Sequence, residues 1–168
     1  MLSLSLGVKL GPYEILAPLG AGGMGEVYGA RDNKLGREAT IRVLPEELAR
    51  DAEHPERLER EAQVLDSLNH PNIAVIYGVE ESGRVNALVM ELVEGATLAE
   101  RITKGPIPTD EAQEISRQIA EGLEYAHERG IIHRDLKPAN LKVTPDARFF
   151  AYSFDRALSN LFLATGVR

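Results

Sequence analysis

The chain contains no cysteine, which excludes a disulfide scaffold and every thiolate metal site. It has no apolar run near the ~18 residues a membrane helix needs. The first ten residues have no basic cluster ahead of their leucines, so they do not read as a signal peptide. No repeat and no low-complexity tract interrupts the sequence. Positive charge is also in short supply: 19 basic against 26 acidic residues give a formal net charge of −7. That balance argues against a nucleic-acid or anionic-membrane surface, since neither attracts an acidic protein. A cytoplasmic setting fits these absences. What remains is ordinary for a globular chain, 43% hydrophobic and 27% charged over 168 residues, enough to bury a core.

Alternation and turn residues give the first half a strand-rich reading. Tyr13–Leu19 reads as a strand, Gly20-Ala21-Gly22-Gly23-Met24-Gly25 follows, and Val27, Tyr28 and Ala30 resume an extended pattern up to Asp32. Asp32–Gly36 is turn chemistry, and Arg37–Leu44 holds another strand centred on Ile41 and Val43. The glycines therefore lie in a hairpin with no helix after them, so a dinucleotide or P-loop type of phosphate loop does not fit. Gly20, Gly22, Gly25 and Val27 do fit G-x-G-x-x-G-x-V, in which bare backbone approaches nucleotide phosphates. A hairpin rich in glycine for turn reasons alone is the alternative.

Glu53–Leu68 has helical period, with Leu58, Ala62, Val64, Leu65 and Leu68 on one arc. Glu61 interrupts that arc. A carboxylate there needs a partner, for which Arg42 is the available cation, or a rim position where it reaches water. Asn69-His70-Pro71-Asn72 ends the helix, and Ile73–Val79 and Asn86–Leu92 read as strands around Ser82-Gly83. Thr97–Ile102 is a short helix. Thr109–Arg129 is a longer one, capped by Thr109, acidic at Asp110 and Glu111, with Ala112, Ile115, Ile119, Leu123 and Ala126 as its stripe and Gly130 as its end. Leu141–Val143 and Phe149–Tyr152 are short strands. Between them and the helix stands His133-Arg134-Asp135-Leu136-Lys137-Pro138-Ala139-Asn140, a loop by its proline and crowded with charge.

These elements, in this order, resemble the catalytic domain of a serine/threonine protein kinase of the eukaryotic-like sort common in bacteria. Leu19–Val27 matches the glycine-rich loop, Glu61 the glutamate of the family's helix αC, Glu91–Val93 the hinge, and His133–Asn140 the pattern H-R-D-x-K-P-x-N. The resemblance implies an α+β, protein-kinase-like fold: a five-stranded antiparallel small lobe with helix αC, then the beginning of a mainly helical large lobe. It divides the chain into an N-terminal extension (1–12), a nucleotide-binding lobe (13–92), and a hinge with an incomplete large lobe ending within the activation segment (93–168).

It also implies roles. ATP would lie against Leu19, Gly20, Gly22, Gly25 and Val27, with Met90 at the back of the adenine pocket and the backbone of Glu91 and Val93 along the adenine edge. Asp135 would orient the substrate hydroxyl, Lys137 would neutralise the γ-phosphate, Asn140 would hold magnesium, and Arg134 would meet a phosphorylated activation loop. A protein serine or threonine would be the acceptor. Two departures stand out. The family's V-A-I-K reads Ala39-Thr40-Ile41-Arg42, and its D-F-G reads Ser153-Phe154-Asp155. An arginine is not equivalent to a compact ammonium at a tight site, and a neutral hydroxyl replaces a metal carboxylate, which puts magnesium binding in doubt. The expectation is a nucleotide-binding kinase domain with impaired or absent transfer; the alternatives are a non-catalytic pseudokinase interaction module with a docking partner, or a non-functional gene fragment.

Overall fold

Alternation along the first ninety residues builds a six-stranded antiparallel sheet in a computed structural model that describes residues 4–22, 25–44, 68–83, 85–133, 136–144 and 149–151. The strands are β1 (Lys9–Leu10), β2 (Tyr13–Gly22), β3 (Gly25–Asp32), β4 (Arg37–Val43), β5 (Ile76–Ser82) and β6 (Val85–Glu91). Their order is β1-β2-β3-β4-β6-β5. Every second residue feeds one face: Ile15, Tyr28, Ala30, Ala39, Ile41, Val43, Ala87 and Val89 join Leu10 and Tyr13 in a single core. Full burial of a large aliphatic side chain such as Ile15 or Ile41 is worth about 1.5–3 kcal/mol. This core holds the sheet.

Five of these strands are the expected ones, and the differences have local causes. β1 was not foreseen; it is two residues long, too short to show a period, and pairs Lys9 with Glu14 and Leu10 with Tyr13. β2 runs on to Gly22, with one extra residue at Leu16 and another at Leu19 opposite β3. Pro18 lies between these two bulges, where a missing donor is tolerated. The strand expected from Ile73 begins instead at Ile76, because the turn at Pro71–Asn72 is closed by Ile73 N–H donating to His70 O at 3.0 Å. The next runs Val85–Glu91. Residues Leu68–Ala74 group with the second of two compact units, Val93 onward; Met1–Ser67 and Val75–Leu92 form the first. A simple cut after Leu92 therefore misses one excursion of the chain. The expected helix Glu53–Leu68 and its Glu61 lie outside the described residues, apart from the buried Leu68.

The β3–β4 turn is built around Asp32. Its carboxylate is buried and accepts from the backbone N–H groups of Lys34 (2.9 Å) and Leu35 (3.0 Å), and Arg37 Nε lies 3.5 Å away. The Arg37 guanidinium in turn stacks 3.5 Å over the Tyr77 ring. Burial pushes the Asp32 carboxyl up, but the Leu35 and Lys34 amides and the Arg37 cation outweigh it and hold it below the usual carboxylate value.

In the second unit, β7 (Ala96–Thr97), β8 (Leu141–Val143) and β9 (Phe149–Ala151) form a small antiparallel sheet beside α1 (Leu98–Thr103) and α2 (Thr109–Glu128). Thr97 caps α1 in a capping box: its hydroxyl accepts from Glu100 N–H, and the Glu100 carboxylate accepts from Thr97 N–H. Leu98, Ile115 and Leu141 make the core, with Ile107, Ile119 and Val143 against it. Two readings of α2 need correction. Its cap position is Pro108, which has no side-chain donor or acceptor to offer, and Thr109 is already helical. Its buried line is Ile115, Gln118, Gly122 and Ala126, not the purely apolar stripe. Gln118 is there because its Oε1 accepts from Asn72 Nδ2 at 2.9 Å, and the His70 and Tyr125 rings meet at 5.0 Å. The segment Leu68–Ala74 is thus docked on α2 by a satisfied amide pair.

Gly95 is demanded both by its backbone and by its surroundings. Its φ is 120°, and a β-carbon there would lie 2.1 Å from Val143 O. Gly95→Ala is expected to destabilise by about 2–4 kcal/mol, lowering Tm by roughly 5–15 °C in a calorimetric melt. A second expectation concerns acid. The folded-state value of Asp32 is depressed, so its contribution is complete above the unfolded value near 3.8 and is lost as pH falls through the folded value. The Tm gap between wild type and Asp32→Asn should therefore be widest near neutral pH and close as the carboxyl protonates; a gap independent of pH would contradict this account.

Candidate functional site

The glycine hairpin forms as the turn residues anticipate. Gly20 pairs with Val27, Ala21 with Glu26 and Gly22 with Gly25, and Gly25 takes φ 105°. No helix follows; β3 leads straight into β4. Gly25 needs its glycine for that backbone. Gly20 does not: its φ is ordinary for any residue, and a β-carbon there would meet nothing within 4 Å. The absence of a side chain at Gly20 thus serves no packing or turn within the described residues. It leaves bare backbone.

Register places Val27, Arg42 and Met90 on the face opposite the core. One cross-strand row reads Gly29, Thr40, Met90 and Ile76; the next reads Val27, Arg42, Leu88 and Val79. The rows lie about 7 Å apart along the strands. Leu19, carried on its bulge and exposed, overlies Gly29: a β-carbon on Gly29 would be 3.7 Å from Leu19 Cδ2. Thr40 and Met90 are fully buried and Arg42 nearly so, at 8%. The Arg42 row is the one nearer the glycine turn. One row of this face therefore holds the buried Thr40 and Met90, and the row nearer the glycine turn holds the buried Arg42. A ligand with a flat apolar part and an anionic tail matches that polarity. Gly29 and Leu88 complete these rows because they lie two residues from Val27 and Met90 along their strands, a spacing the sequence itself carries.

Glu91 is pinned at the end of β6. Its N–H donates to Val75 O at 2.8 Å, and its carboxylate accepts from Val75 N–H at 3.1 Å. In the second unit Val93 is buried, and Lys142 Nζ donates to Gly95 O at 2.9 Å.

The charged loop of the second unit is aimed by the end of α2. Gly130 (φ 74°) donates to His127 O at 2.9 Å and Ile131 N–H to Ala126 O at 3.0 Å, a Schellman turn that reverses the chain. Ile131 and His133 are then buried at 2% each, while Ile132 and Leu136 face outward. Lys137 is extended and half-buried. Pro138–Asn140 forms a 3₁₀ turn with Asn140 N–H donating to Lys137 O at 2.9 Å, and this buries Asn140 immediately before β8. Asp135 and Arg134 lie outside the described residues, as do Glu61 and Ser153-Phe154-Asp155. Among the described residues no group of three or more His, Cys, Asp and Glu side chains could hold a metal ion, and no helix is long and apolar enough to cross a membrane.

Comparison with known proteins agrees with this geometry. Residues 13–149 match the family described as the protein kinase domain. The serine/threonine-protein kinase Pkn2 of Myxococcus xanthus is 46% identical over 138 residues, covering 82% of this chain and 17% of that protein. The Mycobacterium tuberculosis PknI kinase domain superposes with a TM-score of 0.81 at 30% identity, covering 91% of this chain and 62% of that one. A structure of Rad53 in complex with AMP-PNP has a TM-score of 0.74 at 30% identity, covering 85% of this chain and 38% of that one. The chain spans about a fifth of the length of the curated relatives it matches. With residues 13–149 matched and curated bacterial relatives 46% identical, this chain belongs to the protein kinase domain family and to its bacterial serine/threonine branch.

Proposed function

We propose that this domain binds ATP and that its transfer of phosphate to protein serine or threonine is impaired or absent. The observation that carries the reading is the Val27–Arg42–Leu88 row: the cation that meets phosphates in this family is here a guanidinium, buried in the sheet next to a bare glycine turn. Leu19 and Val27 clasp the base, Met90 closes the pocket behind it, and the backbone of Glu91 and Val93 lines its edge. Gly20, Gly22 and Gly25 approach the phosphates, and Glu61 pairs with Arg42. Asp135 orients the acceptor hydroxyl and Lys137 neutralises the transferred group. Such a domain works in the cytoplasm, where ATP is available.

Magnesium fits this donor set poorly. Asn140 supplies one amide oxygen, and the sequence offers Ser153 where a carboxylate is needed. Arg42 retains positive charge but not the compact geometry of an ammonium. Loss of one optimised electrostatic group lowers rate by on the order of 10²–10³, so two departures together leave little transfer. The same departures support a second reading, a pseudokinase module that acts through a docked protein partner and tolerates Asp135→Ala.

Thermal melts with ATP, with and without magnesium, test the first reading. Ligand at about ten times Kd stabilises by about 1.4 kcal/mol, which is roughly 3–5 °C, and the shift should not depend on magnesium. No shift under either condition at millimolar ATP would overturn nucleotide binding. In the intact protein, Arg42→Lys with Ser153→Asp and Asp155→Gly should raise phosphoryl transfer to a generic protein acceptor; transfer by the wild type that the repair leaves unchanged would contradict impairment.

A further inference from the structure

The segment ahead of the matched kinase region is seated residue by residue on the first unit. Leu4 packs against the sheet core, Gly7 N–H donates to Ile15 O and Ile15 N–H to Val8 O, both at 2.9 Å, and Leu10 is 1% exposed. At its start, Leu4 N–H donates to Tyr28 Oη at 2.9 Å. The Tyr28 hydroxyl, on a buried ring, donates in turn to the Glu26 carboxylate. A phenol has one proton to give, so its donation to Glu26 leaves lone pairs for Leu4. The result is a directed chain, amide to hydroxyl to carboxylate, ending on a charge that strengthens both bonds.

Glu26 is one residue from Gly25 and pairs with Ala21 across the glycine hairpin. Glu26 and Tyr28 lie on the core side of β3, and Val27 and Gly29 on the other. Glu26 and Val27 are paired with Ala21 and Gly20 on one side and with Val43 and Arg42 on the other. The glycines at 20, 22 and 25 add no side-chain packing to that pairing, so the Tyr28–Glu26 bond is what fixes the side-chain direction at this end of β3. Holding the Glu26 side chain to one side holds Val27 to the opposite side, where the base would lie.

We infer that Tyr28 is a positioning residue that links the Leu4–Leu10 segment to the glycine-rich hairpin, so that the seating of the segment sets nucleotide affinity. This rests on the ATP-binding reading above. The linkage itself has a ligand-free signature, which separates failure of the one from failure of the other.

The experiment compares wild type, Tyr28→Phe, Leu4→Pro, the double variant and Glu26→Gln by amide hydrogen exchange and by ATP titration. Leu4→Pro removes the donor and keeps an apolar residue; Glu26→Gln keeps an acceptor oxygen. Tyr28→Phe should raise exchange at Ala21, Glu26 and Val27 while Ile41 and Val89 keep their rates, and should weaken ATP binding about threefold to tenfold. Leu4→Pro should act in the same direction, the double variant should add little to Tyr28→Phe, and Glu26→Gln, which keeps an acceptor but removes the charge, should act in the same direction more weakly than Tyr28→Phe. Unchanged hairpin exchange, faster exchange spread evenly over the sheet, or fully additive effects would each overturn the linkage. Local exchange changes in a protein that binds no ATP would instead uphold the linkage and remove the reading it serves.

Discussion

Everything in the first unit depends on β4 being hydrogen-bonded on both sides and buried on both faces. Ala39, Ile41 and Val43 enter the core, while Thr40 and Arg42 enter the opposite face at almost no exposure. Strand pairing makes this arrangement rigid, since a slip of one residue would put Arg42 into the core and Ile41 onto the opposite face. A buried guanidinium cannot be tolerated in apolar surroundings without compensation. The register is therefore fixed electrostatically as well as by packing, and the same register sets Val27 beside Arg42 and Met90 beside Thr40.

The second unit depends on a different device. The turn at Gly130 and the 3₁₀ turn at Pro138–Asn140 fix the two ends of the charged loop, and both are backbone hydrogen-bond patterns that need particular residues at one or two positions. His133 and Leu136 inherit their direction from these ends. His133 turns inward and Leu136 outward because the chain enters from Ile131, which is buried beneath the end of α2.

Much of this was legible in the residues. The glycine hairpin shows because turn residues separate two alternating runs, and the kinase resemblance shows because weak motifs recur in the right order. Arg42 and Ser153 show as departures only against that resemblance. The rest needed tertiary information. Ile73–Ile76 is a continuous apolar run, and nothing in its period says that Ile73 and Ala74 belong with α2 and only Ile76 with the sheet. Gln118 looks like a solvent residue until Asn72 is placed against it. The hydroxyl of Tyr28 gives no sign in the sequence that Leu4 will find it, because the partners are 24 residues apart and belong to different strands or none.

The strand order has a consequence during synthesis. β4 is followed in space by β6, whereas the next strand described in sequence is β5, so the pairing of β4 with β6 is not complete until Glu91 has left the ribosome. Some fifty residues separate the end of β4 from the end of β6, several seconds of translation at about 5–20 residues per second. Until then the row of β4 amides and carbonyls that pairs with β6 lacks that partner, the kind of edge that invites pairing with another chain. The interval closes only when β6 docks, which makes β6 the element on which safe production of this domain turns.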